Sequence, residues 1–217
     1  MTTKAHAVDL AQRLIRCPSV TPAEGGAIDL LEAELSAIGF ACTRLPFGEG
    51  NDRIDNLFAR YGSAAPHVCF AGHTDVVPVG DAAAWTRDPF GGDIVDGALF
   101  GRGAADMKGG VAAFVAAAAA VIEGGIGGSV SLLITGDEEG DAVNGAVRMV
   151  EGAMADDQIP GQRVGGAPTT PAAPRGHNGA TDGRCALCPP QMASSSMQSR
   201  WQTALPLEGR SPRLRPG

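Results

Sequence analysis

Apolar side chains recur at helical spacing in the first forty residues of the chain. Val8 is followed three positions later by Ala11, and Ala11 is followed three and four positions later by Leu14 and Ile15. This period is typical of an amphipathic helix and predicts one from about Ala5 to Arg16. A second helix is predicted from about Glu24 to Ile38, where Gly39 ends the pattern.

Short apolar runs then alternate with further helical segments. Strands are predicted at FACTRL (40–45), IDNLFARY (54–61), HVCFAGH (67–73) and SVSLLIT (129–135), a hairpin at IVDGALFG (94–101), and helices at Met107 to Glu123 and about Asn144 to Ala155. The hairpin has Asp96-Gly97 at its turn. This alternation predicts an α/β fold, a three-layer sandwich with a mostly parallel central sheet.

The composition changes near residue 160. Residues 161–217 hold seven arginines, eight glycines and eight prolines, but only two acids and no Ile, Phe, Tyr or Lys. Residues 1–160 carry ten Lys plus Arg against 22 Asp plus Glu. We therefore predict a folded part over 1–158 and an unstructured tail over 159–217. Because Arg, Gly, Pro, Ala and Ser are enriched together, out-of-frame translation of a GC-rich gene is an alternative origin for this tail.

Net charge and cysteine usage narrow the functional class. The net charge of −7 argues against nucleic acid as the main partner. The five cysteines form an odd, scattered set without disulfide-framework spacing, which fits a reducing compartment. The longest apolar run, Val111 to Ile122, is too short to span a bilayer. A soluble, cytoplasmic protein is expected.

A histidine and an aspartate follow the predicted strand 67–73 at its carboxyl end, where open α/β sheets place ligand sites. His73 and Asp75 stand two apart in extended chain, so both side chains point to the same side. Imidazole is a good ligand for a divalent metal, and a nearby carboxylate fixes its tautomer. A hydrogen-bonded strand-end histidine beside a turn aspartate accounts for the pair equally well.

A second candidate lies in the glycine-rich segment GRGAADMKGG (101–110). Asp106 precedes the predicted helix, so an N-cap role is the stronger interpretation of this residue alone. The functional interpretation makes Asp106 a carboxylate that bridges two metal ions, with the glycines allowing close approach of the backbone. The segment matches neither the Walker nor the dinucleotide-binding spacing.

Three consecutive acids follow the predicted strand 129–135. Asp137 is interpreted as a turn residue, and adjacent acids often form a solvated turn. With a metal ion nearby, one of Glu138 and Glu139 would bind the ion while its neighbour takes a proton from water. Three loops at one sheet edge then share a single site.

The segments FAGHTDVVPVGD, WTRDPFGGDIVDGALFGRGAADMKGG and SLLITGDEEGDAVNG resemble the M20 family of two-metal aminoacylases and peptidases. The resemblance covers about residues 5–158. Within the family, LLITGDEEGDAVNG and GRGAADMKGG are most similar to the members that hydrolyse N-succinyl-diaminopimelate in lysine biosynthesis. Acetylornithine or another N-acyl amino acid is the alternative substrate.

The resemblance implies roles for five residues and a pair of zinc or cobalt ions. His73 would bind one ion, Asp106 would bridge both, and Glu139 would bind the second. Glu138 would be the general acid and base, and Asp75 would orient His73. The reaction would be hydrolysis of N-succinyl-LL-2,6-diaminopimelate to succinate and diaminopimelate.

Two departures from the family's pattern lead to further expectations. The family's Gly-Glu-Pro-Thr motif supplies a third glutamate ligand, and in VGGAPTT (164–170) Ala167 stands at that position. His177 is expected not to bind metal, and Cys185 and Cys188 form a lone CxxC. The resemblance implies that 1–158 is the incomplete N-terminal part of the family's catalytic domain, and the family's lid and dimerisation domain is expected to be absent. A truncated or frameshifted product without catalysis is the third hypothesis. This chain, expressed alone, is expected to bind zinc weakly, to show no detectable turnover and not to form the family's homodimer.

Overall fold

Helices and strands alternate along the part of the chain that the computed structural model describes, residues 3–145, 148–149, 163–165 and 204–206. The helices are α1 (Thr3–Ile15), α2 (Ala27–Ala37) and α3 (Gly109–Glu123). The strands are β1 (Ala41–Arg44), β2 (Leu57–Tyr61), β3 (His67–His73), β4 (Ile94–Val95), β5 (Ala98–Phe100), β6 (Ser129–Thr135), β7 (Arg163–Gly165) and β8 (Ala204–Pro206). The predicted helices and strands up to residue 135 are confirmed, with shifts of up to three residues at their ends.

The main sheet has the strand order β1-β2-β6-β3-β7. β3 pairs in parallel with β6 and β7, while β1 and β2 form antiparallel pairs at one edge. The predicted α/β class is confirmed, and parallel pairing occurs on both sides of β3. Only 45–56 join β1 to β2, a connection suited to antiparallel neighbours, whereas α3 provides the crossover that parallel β3 and β6 require.

Parallel pairing brings the ends of β3 and β6 together. The register runs from His67 opposite Ser129 to His73 opposite Thr135, so both strands end at the same level. The loop after His73 and the acidic loop after Thr135 therefore leave the sheet at one edge. This arrangement places the candidate site.

The main core lies between the helices and one face of the sheet. Its fully buried members include Leu10, Leu14, Ile28, Leu31, Leu35, Leu57, Val111, Val115, Leu132 and Ile134. Phe58, Cys69 and Leu133 form a smaller cluster with Met149 on the other face. Every residue of β6 is buried, which matches its central position.

One helix of the described residues, Ala104–Glu123, is long and apolar enough to cross a membrane by length and composition. Such a helix also occurs in cores of soluble proteins. Here Val111, Ala112 and Val115 are buried in the main core. A place in the core accounts for its apolar character.

Truncating a central core side chain is expected to destabilise the fold strongly. Leu132 is 0% exposed in the strand that pairs with both β2 and β3. Leu132→Ala is expected to lower the free energy of unfolding by about 3 kcal/mol, measured by urea denaturation. Val121→Ala, at a side chain 52% exposed on α3, serves as the control and should change it by less than about 0.5 kcal/mol. Similar losses in both variants would contradict this core.

The predicted hairpin is confirmed over β4 and β5. Ile94 pairs with Leu99, and Val95 pairs with Ala98. Asp96 and Gly97 have φ values of 50° and 76°, as a two-residue hairpin turn of the mirror-image type requires. β8 pairs with the other side of β5.

The predictions for the end of the chain lie largely outside the described residues. These are most of the helix from Asn144 to Ala155, the tail over 159–217 apart from β7 and β8, and the assignments of Ala167, His177, Cys185 and Cys188. The domain division at residue 158 stays a prediction.

Candidate metal centre

His73 is the last residue of β3, and its imidazole is almost completely buried, with 1% of its surface exposed. Its Nδ1 lies 3.0 Å from the backbone oxygen of Asp75 and 3.4 Å from Asp75 Oδ1. Its Nε2 lies 3.1 Å from Asp106 Oδ1. The Nδ1 contact directs Nε2 towards the carboxylates of the neighbouring loops.

Asp75 connects the loop that follows His73, called the histidine loop, with the loop that follows Thr135, called the acidic loop. It is fully buried. Its carboxylate accepts hydrogen bonds from the backbone N–H of Glu138, at 3.1 and 3.2 Å, and of Glu139, at 2.9 Å. Because Asp75 also faces His73 Nδ1, it fixes the position of the imidazole relative to the backbone of the two glutamates.

Asp106 enters the site from the loop before α3. A distorted turn over Ala104–Lys108 contains non-helical backbone at Asp106 and Met107, and the peptide bond between these two residues is cis. The N-cap interpretation of Asp106 is wrong, because α3 begins at Gly109 with Lys108 as its N-cap. The Asp106 carboxylate instead faces His73.

The two glutamates complete the cluster. Glu138 Oε2 lies 3.8 Å from His73 Nε2. One ligand atom each from His73, Glu138 and Glu139 lie within 4.8 Å of one another. Asp137 is turned away into the loop, where its carboxylate accepts a hydrogen bond from the backbone N–H of Asn144, so it fits the turn interpretation.

The charges of the cluster shift its pKa values in opposite directions. Burial would lower the pKa of His73, but hydrogen bonds to Asp106 and Asp75 and their charges raise it to about 11. Burial would raise the pKa of Asp75, but bonds from His73, Thr21 and the Glu139 N–H hold it below its usual range. Burial and the charge of Asp106 raise the pKa of Glu139 to about 7. Acidic groups thus outnumber the single imidazole in this cluster.

The donor set fits a divalent cation. An imidazole nitrogen and carboxylate oxygens are the ligands that zinc and similar ions prefer. Burial, and after it the negative charge of Asp106, raises the pKa of Glu139, and a bound cation would favour the ionised carboxylate. Ligand atoms of His73, Glu138 and Glu139 lie within 4.8 Å of one another, and Asp106 Oδ1 lies 3.1 Å from His73 Nε2.

Three polar residues near the site were not singled out by the sequence. Thr21 hydrogen-bonds Asp75, Lys108 is buried with its Nζ donating to the backbone oxygen of Cys17, and Arg102 lines a small cavity with Asp106 and Glu139. Arg102 also stacks on Trp85, with its Cζ 4.9 Å from the ring centre. Lys108 and Arg102 stand in the quoted GRGAADMKGG segment. Nothing in the local pattern separates them from surface cations.

The raised pKa of Glu139 predicts how stability depends on pH. Its carboxyl ionises less readily in the folded chain than in the unfolded chain, so the folded chain binds more protons between about pH 4.5 and pH 7. This group's contribution to stability therefore falls as the pH rises through that window. In the presence of a chelator, Glu139→Gln is expected to stabilise the chain by about 1 kcal/mol at pH 8.

Urea denaturation at two pH values measures this effect. At pH 4.5 the wild-type carboxyl is largely protonated in the folded chain, so the difference between Glu139→Gln and wild type should shrink towards zero. Glu123→Gln, at an exposed acid that ends α3, is the matched control and should change little at either pH. A Glu139→Gln variant less stable than wild type at pH 8 would contradict the charge crowding.

Comparison with known proteins gives a consistent family match. The model of peptidase family M20/M25/M40 matches residues 69–184, just over half of the chain. The chain is 60% identical over 170 residues to a Rhodospirillum centenum protein named succinyl-diaminopimelate desuccinylase, covering 76% of this chain and 44% of the relative. A protein of the same name from Phenylobacterium zucineum is 56% identical over 171 residues, covering 78% of this chain and 44% of the relative.

A solved structure shows the same fold at lower identity. The M20 family metallo-carboxypeptidase Sso-CP2 from Sulfolobus solfataricus superposes with a TM-score of 0.66 at 22% identity, over 76% of this chain and 38% of that chain. The present chain thus spans less than half of the length of the relatives it matches.

Proposed function

Because the chain belongs to peptidase family M20/M25/M40, we propose that it carries the metal-binding residues of a hydrolase that cleaves N-succinyl-LL-2,6-diaminopimelate into succinate and LL-2,6-diaminopimelate. The observation that carries this proposal is the convergence of His73, Glu138 and Glu139 within 4.8 Å at the shared end of β3 and β6. The substrate rests on the relatives named succinyl-diaminopimelate desuccinylase.

We assign three side chains to metal binding. His73 would hold one ion through Nε2, Glu139 would hold a second, and Asp106 would bridge both. The Asp106 carboxylate already faces His73 Nε2 at 3.1 Å, which supports this arrangement. Zinc or cobalt suits a mixed imidazole and carboxylate set. When bound, such ions lower the pKa of water and polarise an amide carbonyl.

Glu138 is the proposed general acid and base. Its carboxylate lies beside the ligand set, 3.8 Å from His73 Nε2, and its backbone N–H is fixed by Asp75. Glu138 would take a proton from the attacking water as the carbon–oxygen bond forms at the succinyl carbonyl. It would then give that proton to the diaminopimelate nitrogen as the carbon–nitrogen bond breaks. The products are one carboxylate and one amine.

Asp75 would act on the reaction indirectly. It contacts His73 Nδ1 and the N–H groups of Glu138 and Glu139. It would therefore position two proposed ligands, His73 and Glu139, and the proposed base, Glu138. Such outer carboxylates orient a ligating histidine and make it a better donor.

The proposed location is the cytoplasm, and the proposed partner is the small-molecule substrate alone. Cys17, Cys42 and Cys69 form no disulfide in the structure, as is usual in a reducing compartment.

The substrate proposal is tested in a hybrid enzyme, because the chain spans only 44% of the Rhodospirillum centenum relative. Residues 1–145 of this chain replace the corresponding segment of that relative. The hybrid is expected to release diaminopimelate from N-succinyl-LL-2,6-diaminopimelate in a reaction stopped by a chelator and restored by Zn²⁺ or Co²⁺. Faster hydrolysis of N-acetylornithine, with the unaltered relative as control, would overturn the substrate assignment.

A further inference from the structure

We propose that Thr21 is a positioning residue of the metal centre, acting through the carboxylate of Asp75. This inference rests on the proposed function, since it concerns the same metal site. The Thr21 hydroxyl donates a hydrogen bond to Asp75 Oδ2 at 2.5 Å. Thr21 lies in the loop that follows α1, more than fifty residues before its partner.

The two oxygens of Asp75 have different partners. Oδ1 faces His73 Nδ1 at 3.4 Å and accepts from the N–H of Glu138. Oδ2 accepts from the N–H groups of Glu138 and Glu139 and from the Thr21 hydroxyl. The bonds from Glu138 and Glu139 come from backbone N–H groups. Among the described residues, Thr21 is thus the one side chain outside the histidine and acidic loops that donates a hydrogen bond to this carboxylate. Its hydroxyl restricts rotation of Asp75 and thereby fixes His73 against the acidic loop.

Thr21 ends a short segment, Cys17–Thr21, that is hydrogen-bonded to the histidine loop. The Ser19 hydroxyl donates to the backbone oxygen of Thr74 at 2.6 Å, and the Val76 N–H donates to the backbone oxygen of Ser19 at 2.9 Å. The Thr21 N–H donates to the backbone oxygen of Val76 at 3.3 Å. These bonds pair the segment with the loop that carries His73 and Asp75.

The other end of this segment is tied to the loop of Asp106. Lys108 is fully buried, and its Nζ donates to the backbone oxygen of Cys17 at 2.7 Å. Burial lowers the pKa of Lys108 to about 8, so placing an amine there is costly and implies a structural use. The Cys17–Thr21 segment therefore connects the loops that supply His73 and Asp106.

The methyl group of Thr21 also contacts the acidic loop. A Cβ atom added at Gly140 would lie 2.6 Å from Thr21 Cγ2 and 2.5 Å from Asp137 Oδ1, so a larger residue there would force these side chains to shift. The hydroxyl and the methyl of Thr21 thus have separate contacts. Two substitutions separate them, because Thr21→Val keeps the shape and removes the hydroxyl, while Thr21→Ser keeps the hydroxyl and removes the methyl.

The experiment measures Zn²⁺ affinity of the full chain by competition with a chromophoric chelator. Thr21→Val is expected to weaken binding about tenfold, at the low end of the loss typical of outer hydrogen-bond partners of a metal site. Thr21→Ser is expected to stay within about threefold of wild type. The control Thr43→Val makes the same change at an exposed position on β1 and should leave the affinity unchanged.

A spectroscopic measurement separates positioning from general loss of structure. The visible absorption of the Co²⁺-loaded chain reports ligand geometry, so it should change in Thr21→Val and return in Thr21→Ser, while circular dichroism stays unchanged in both. Should Thr21→Val fail to fold, Thr21→Ala and Thr21→Ser provide a second pair that differs in the hydroxyl alone.

The outcomes distinguish this inference from the proposed function. Wild-type chain that binds neither Zn²⁺ nor Co²⁺ would overturn both. Wild-type binding together with equal affinities and equal Co²⁺ spectra for the hydroxyl-containing and hydroxyl-free variants would overturn the role of Thr21 and leave the metal centre standing.

Discussion

Replacing His73 by alanine is expected to lower the Zn²⁺ affinity of the full chain by more than about a hundredfold. Loss of a residue that only hydrogen-bonds a metal ligand costs up to about a hundredfold, and loss of a ligand itself should cost more. His73 is the one imidazole in the described cluster, and the other candidate ligand atoms are carboxylate oxygens. Removing it eliminates the nitrogen donor and exposes the remaining carboxylates to one another. Competition with a chromophoric chelator at neutral pH measures the change.

The matched control is a second histidine on the same strand. His67 lies at the opposite end of β3, where its Nε2 is 2.8 Å from Ser131 Oγ. His67→Ala should leave Zn²⁺ affinity within about threefold of wild type, a change of less than about 1 kcal/mol. Equal losses in the two variants would show that ion binding does not depend on the end of the strand at which the acidic loops meet.

Replacing Glu138 by glutamine is expected to reduce kcat of the hybrid enzyme by about 10³-fold, within the usual range for removing a general acid and base. Glutamine keeps the size of the side chain but neither takes nor gives a proton at neutral pH. Glu138 is proposed to lie beside the ions and not to bind them. The Zn²⁺ affinity of the Glu138→Gln variant should therefore differ from that of the unsubstituted hybrid by less than about threefold.

Glu139→Gln provides the comparison for that result. The neighbouring glutamate is a proposed ligand, so this variant should lose Zn²⁺ affinity and recover part of its activity at high metal concentration. Glu138→Gln should not recover under those conditions. A Glu138→Gln hybrid with unchanged kcat, or one rescued by added metal, would reverse the roles of the two glutamates.

The periodic patterns of the sequence were sufficient to predict the elements that carry the site. Alternating apolar runs locate β3 and β6, and the chemistry-bearing residues follow directly after them, at His73, Asp75, Glu138 and Glu139. Because α3 is the crossover between those strands, parallel pairing and a shared edge follow from general rules. Proximity of these residues was therefore predictable before any coordinates.

Other features depend on tertiary contacts that leave no local signal. Aspartate is a common helix cap, and Asp106 lies just before the predicted helix. In the structure a distorted turn comes first, α3 begins at Gly109, and the Asp106 carboxylate faces His73. Lys108 is a charged residue in a glycine-rich loop, and only the fold shows that it is buried. Thr21 acts on Asp75 across a long stretch of chain. Residue types alone do not specify such pairings.

Anomalous diffraction at the zinc edge from crystals of the full chain grown with Zn²⁺ tests the central claim most directly. The expected result is a peak within bonding distance of His73 Nε2 and of carboxylate oxygens from Asp106 and Glu139, and its loss in His73→Ala. A peak at Cys185 and Cys188, or elsewhere on the surface, with none beside His73, would contradict a metal centre at the shared edge of β3 and β6.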